Sequence, residues 1–167
     1  MSTRTYQRLD LAARQLETAI GLFIGGHDRF SVITLAAAAD GILSQLANNK
    51  GEKTFIEILA GETDDAKTAS RSGMGTHVNQ LLCVNALKHM DEGDDGYVVL
   101  DLFNCALGTI LVAVADFVTL RGRGEGFVEA FLLWVRQNLD SKIYNVDCDP
   151  DWKPVKATQA ADPHELP

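Results

Sequence analysis

The sequence predicts an all-α protein, an antiparallel bundle of five or six helices. Two observations carry this. Apolar residues recur at steps of three and four along most of the chain, the spacing of one face of a helix with 3.6 residues per turn. No segment alternates with period two for long, and Gly/Pro turn pairs at hairpin spacing are absent.

The first helix is expected over residues 6–24, where Leu9, Ala12, Leu16, Ala19/Ile20 and Phe23 form one stripe. Gly25-Gly26 punctuates its end, and Asp28 is placed to cap the next helix. That second helix is expected over 29–48 through Phe30, Ile33, Ala36/Ala37, Leu43 and Leu46/Ala47. Its Ala36–Ala39 run carries no bulk, so a partner helix can approach closely. Asn48-Asn49-Lys50-Gly51 makes a turn. A short helix over 53–59 follows, then a polar, glycine-containing stretch, 61–75, read as a mobile loop. Helices are expected next over 76–90 (Val78, Leu81/Leu82, Asn85), 97–120 and 125–139 (Phe127, Phe131, Trp134/Val135, Leu139). The acidic residues 91–96 connect the first two of these, and Arg121-Gly122-Arg123-Gly124 connects the last two.

The domain organisation follows from a shift in composition. Residues 1–143 are expected to form the helical domain, and 144–167 an irregular or disordered, acidic tail. All four prolines lie there, with five acidic residues against Lys153 and Lys156. Such a segment has no periodic apolar face to offset its ordering entropy. Trp152 is the exception, an aromatic suited to docking on the body or on a neighbouring subunit.

The 167 residues carry 15 Lys+Arg and 23 Asp+Glu, a net charge of −8. That balance weighs against DNA, non-specific nucleic-acid binding and anionic membranes, all of which need a positive surface. The most apolar run, 102–115, has 14 uncharged residues between Asp101 and Asp116. At 1.5 Å per residue it reaches about 21 Å, short of a hydrocarbon core of about 30 Å, so no membrane span is expected. No secretory signal is read at the N-terminus. Cys83, Cys105 and Cys148 are odd in number and lack CxxC spacing, which points away from disulfides and zinc and towards a cytoplasmic chain.

Candidate chemistry is sparse. Against the calcium-loop pattern beginning at Asp91, Gly93 and Leu102 fall where ligands belong, so no metal and no cofactor is expected. Gly73-Met74-Gly75 has neither a Walker lysine nor a preceding strand, and no G-x-S-x-G elbow occurs. The remaining constellation is Cys83-Val84-Asn85-Ala86-Leu87-Lys88-His89. On a helix, Asn85 and His89, four apart, share a face that continues the stripe from Leu81. Such a polar pair either bridges neighbouring helices or edges a functional surface.

Over residues 6–140 the chain resembles the HEPN superfamily of small α-helical proteins of RNA and nucleotide biology, many from bacterial toxin–antitoxin and defence systems. The resemblance is carried by Leu9-Asp10-Leu11-Ala12, by Phe30-Ser31-Val32-Ile33-Thr34-Leu35-Ala36 and by Asn85-Ala86-Leu87-Lys88-His89. In that family the last stretch reads R-N-x-x-K-H. The arginine grips the scissile phosphate and the histidine acts in metal-independent RNA cleavage across a homodimer interface. Here the arginine position is Val84, and losing such electrostatic help costs on the order of 10²–10³ in rate. Lys88 offers a point charge without the guanidinium's two-pronged geometry. A second match, Arg71-Ser72 with His77, is discounted: about 0.6 such matches are expected by chance for a chain with 8 Arg and 4 His. It also crosses Gly73 and Gly75, which are read as unable to hold both side chains on one rigid helix.

The resemblance therefore implies a HEPN-like protein with a degenerate nuclease site, a binding or regulatory homodimer in a defence or stress system. A protein partner, a nucleotide or an RNA is its expected ligand, with Asn85 and Lys88 as ligand-binding residues and His89 at the catalytic position. The alternatives are a metal-independent RNase in which His89 is general base and Lys88 supplies the cation, and a plain helical scaffold. The scaffold reading predicts a buried, hydrogen-bonded His89 with no cleft beside it.

Overall fold

The computed structural model describes residues 3–90, 93 and 95–153. It is all-helical, with six helices and no strand among the described residues: α1 (Arg8–Ile24), α2 (Arg29–Lys50), α3 (Phe55–Glu62), α4 (Arg71–Leu81), α5 (Leu102–Arg121) and α6 (Gly126–Asn138).

Local chemistry sets the boundaries. Asp28 caps α2 as expected, accepting from the N–H groups of Phe30 at 3.3 Å and Ser31 at 2.9 Å. Thr54 opens α3 with a reciprocal capping box: its hydroxyl accepts from the Glu57 N–H while the Glu57 carboxylate accepts from the Thr54 N–H. Ser70 caps α4 and Asp101 caps α5.

α1 and α2 form a hairpin whose apolar faces enclose α5. Leu107, Ile110, Val114 and Phe117 of α5 meet Leu16 and Ile20 of α1, Ile33 and Leu43 of α2, and Val128, Phe131 and Val135 of α6 in one cluster. Burying each such side chain contributes about 1.5–3 kcal/mol. Ala36 and Ala39 are fully buried, so the bulk-free strip of α2 does lie at a close helix contact. A second, smaller cluster joins α3 and α4 to the flank of α5 through Ile56, Ala60, Met74 and Val112. By length and composition α2 and α5 could each cross a membrane, with mean hydropathies of 1.5 and 1.8; in this fold 56% of the α5 window is buried inside the protein.

Three expectations are corrected. The helix expected over 76–90 begins earlier, at Arg71, and ends earlier, at Leu81. Its start invades the expected loop because Ser70 supplies a cap and because Gly73, having no side chain, lets the Lys67 carbonyl lie against the first turn; a Cβ there would collide with that oxygen. The helix expected over 97–120 begins only at Leu102. Gly96, at φ 82°, and the Asp95 carboxylate, which accepts from the Tyr97 N–H, turn the chain just before it. Tyr97 and Val99 are consequently exposed, at 85% and 98%, and not part of a core helix.

Residues 144–153 are irregular but packed. Val146 and Trp152 join the main cluster, the Trp152 indole donates to the Tyr144 carbonyl at 3.2 Å, and Arg136 holds the buried Asp149 carboxylate at 2.6 Å. Residues 154–167, and Asp91, Glu92 and Asp94 of the acidic connection, lie outside the described residues. The calcium-loop and His89–Asp91 comparisons fall partly on them.

Candidate functional site

Of the three stretches that carry the resemblance, Leu9–Ala12 and Phe30–Ala36 lie in α1 and α2, but Asn85–His89 lies past the end of α4, which corrects the expectation that Asn85 and His89 share a helix face. α4 closes in a Schellman motif: the Val84 N–H donates to the Asn79 carbonyl at 3.0 Å and the Cys83 N–H to the Gln80 carbonyl at 3.1 Å. The closing residue, Cys83, sits at φ 56°, in the left-handed region that glycine usually fills. The motif turns the following residue inward, and Val84 is accordingly 4% exposed and packed into the main cluster.

Beyond it the chain makes a tight turn in which the Asn85 carbonyl accepts from the N–H groups of Lys88 at 3.0 Å and His89 at 2.9 Å. The side chains of Asn85, Lys88 and His89 are all exposed. Asn85 and His89 are thus brought together by backbone hydrogen bonds, on a surface turn and not at a helix seam.

The arginine motif set aside on sequence grounds is differently placed. Arg71 and His77 both lie on α4, which runs unbroken through Gly73 and Gly75; this corrects the expectation that the glycines would separate them. Six positions apart, they stand about 120° from one another around the helix, and both are exposed.

Arg71 does something the sequence did not suggest. It stands at the rim of a cavity of about 200 Å³ between the two apolar clusters, walled by α2, α3, α4 and α5. Asp40 and Ser44 of α2, Thr54 before α3, and Asn79 of α4 supply polar groups; Val84 closes part of the floor. The apolar wall is Ile56, Val78, Leu82 and Val112.

Two carboxylates dominate the electrostatics. Asp116, one helical turn past Val112, is fully buried; its Oδ1 accepts from the Phe55 N–H at 2.7 Å, while its Oδ2 has no partner. Burial raises its pKa above the ordinary carboxylate value, against the opposing pull of that N–H and of Arg71. Asp40 also has a buried oxygen, Oδ1, without a partner. Burial first, and the neighbouring Asp116 charge second, push its carboxyl up to about 7. The charges of Lys88 and Arg71 pull the other way, so Lys88 is the one residue of the sequence-predicted trio that acts on the cavity. Arg71 influences Asp40, Asp116 and Glu57 yet forms an ion pair with none of them.

Sequence reasoning missed Asp40, Arg71 and Asp116 as site residues. A usable signal was present for the two acids: each interrupts a long apolar helix, and a charged side chain on a core stripe is the informative exception to hydrophobic burial. Among the described residues no three His, Cys, Asp or Glu side chains gather where they could hold a metal ion. Cys83, Cys105 and Cys148 are free thiols. The chain matches no protein-family model, no curated protein and no solved structure.

Proposed function

We propose that this chain is a HEPN-like helical protein with a degenerate nuclease site, acting in the cytoplasm as a binding or regulatory homodimer of a bacterial defence or stress system. One observation carries the loss of catalysis: Val84, at the position of the phosphate-gripping arginine, is 4% exposed and faces inward, whereas Asn85, Lys88 and His89 face solvent. The scaffold reading is less well supported, because His89 is exposed and a polar cavity exists. Exposed Leu81, Tyr97, Val99 and Ile143 support a self-association surface.

Incubating the protein with single-stranded and structured RNA tests the reading. The expected result is no cleavage above background, unchanged in His89→Ala. Robust cleavage that disappears in His89→Ala establishes the rival RNase with Lys88 as its cation. Cleavage that disappears instead in His77→Ala moves the enzyme reading to α4, whose unbroken course past Arg71 is the observation in its favour. Sedimentation should give twice the chain mass of 18.2 kDa; a single-chain species alone at micromolar concentration removes the dimer.

A further inference from the structure

The cavity between α2, α3, α4 and α5 has the chemistry of a ligand site, with one guanidinium and one carboxyl group on its lining. Arg71 and Asp40 both line it: Arg71 is exposed and, among the described residues, in no ion pair, and Asp40 is half-buried with an unpartnered oxygen. Asp116, wholly buried, lies outside the lining. A buried carboxylate oxygen without a donor costs free energy that water or a ligand must offset. The cavity therefore pairs an exposed guanidinium with a half-buried carboxyl group.

Size and sign narrow the ligand class. An apolar cavity of about 150 Å³ accepts benzene, with six heavy atoms, so 200 Å³ suits a molecule of roughly six to ten. Nucleotides are too large. A simple anion such as phosphate would meet a carboxyl group as well as the guanidinium. A simple amine would satisfy Asp40 and leave Arg71 unmatched. A bare metal ion would find one carboxyl group and a guanidinium, a poor donor set. What remains is a molecule with a cationic N–H donor at one end and a carboxylate at the other. The wall of Ile56, Val78, Leu82 and Val112 adds an apolar side to it.

We infer that this cavity binds a small aliphatic α-amino acid, its ammonium group turned inward to Asp40, its carboxylate held at the mouth by Arg71, and its side chain against Ile56, Val78 and Val112. Arg71 suits a carboxylate because its planar fork can donate two parallel hydrogen bonds. The site lies apart from His89, so it stands whether or not the chain cleaves RNA.

The experiment is isothermal titration of the full chain with L-valine and L-leucine, set beside 3-methylbutylamine, 4-methylpentanoate and inorganic phosphate. At least one amino acid should bind, and the analogues lacking either charged end should bind at least tenfold more weakly. Asp40→Asn and Arg71→Gln should each weaken that binding at least tenfold while circular dichroism stays unchanged. If either variant fails to fold, the analogue series on the unaltered protein decides alone. No binding of either amino acid at millimolar concentration overturns the inference. So does an analogue or phosphate that binds as tightly as the amino acid, or amino-acid binding that survives both substitutions in folded protein.

Discussion

α2 and α4 end in the same backbone closure made from different residues. At the end of α2, the Gly51 N–H donates to the Asn48 carbonyl and the Glu52 N–H to that of Ala47; at the end of α4, Cys83 and Val84 repeat the pattern with Gln80 and Asn79. Gly51 adopts φ 75° and Cys83 φ 56°. For glycine that conformation is unstrained, whereas a residue with a Cβ carries roughly 1–2 kcal/mol of steric cost. The residue that follows differs as well: Glu52 is exposed, Val84 buried. The second closure therefore holds because packing of Val84 offsets the strain. A helix end can be written in the core and not in the turn residue.

The largest effect should separate the two following residues. Val84→Arg places a guanidinium in the main cluster and should cost about 3–5 kcal/mol in urea unfolding, as an uncompensated buried charge does. Glu52→Arg, at the matching exposed position, should stay within about 0.5 kcal/mol of the parent. Equal losses would break the argument that Val84 anchors the closure. Next in size, Gly51→Ala forces a Cβ into the left-handed region and should cost about 1–2 kcal/mol. Cys83→Gly removes that same steric cost but adds backbone entropy, so a gain of up to about 1 kcal/mol is expected in thermal or chemical unfolding. A clear loss there would mean that the Cys83 side chain contributes more than its strain subtracts.

The last effect is electrostatic and is read from a pH profile. The groups bearing on Asp40 are Asp116 from α5, Arg71 from α4 and Lys88 from the turn after Cys83, with Glu57 of α3 acting on Asp116. Its carboxyl rises from 3.8 to about 7 on folding. The folded chain holds a proton that the unfolded chain releases, so this contribution to stability is complete below about pH 4 and lost as pH rises through about 7. Asp40→Asn should flatten that fall in unfolding measured from pH 4 to 8. Lys88→Ala should push the Asp40 titration, followed by carboxyl NMR, further upward; an unmoved titration would show that the Lys88 charge does not act on Asp40.

The sequence patterns that proved informative were those written in local chemistry. Asp28 and the glycines after α1 and α2 mark their ends through side-chain acceptance and positive φ, and these features are local. The α5 core stripe was equally legible, since burial repeats every turn. The misreadings have two causes. Tyr97–Leu100 is as apolar as a core helix, and local chemistry excludes it: Gly96 and the Asp95 carboxylate turn the chain before it and Asp101 caps α5 after it. The others come from tertiary context. Asn85 and His89 have helical spacing, but the long-range packing of Val84 ends α4 before them. The cavity was invisible for the same reason: Asp40 and Arg71 are distant in sequence, and it takes four elements to build the cavity they line. Asp116 was noticed only as a charge that interrupts an apolar run.

The touch between Gly73 and the Lys67 carbonyl fixes how the loop before α4 is seated, two residues from Arg71. Because the spacer is main chain on main chain, its length does not depend on which side chains the loop carries. Within the loop, the Asp65 carboxylate accepts from the Lys67 N–H and the hydroxyls of Thr63 and Thr68 pair, so the fit asks for these side chains on one side and for none at position 73 on the other.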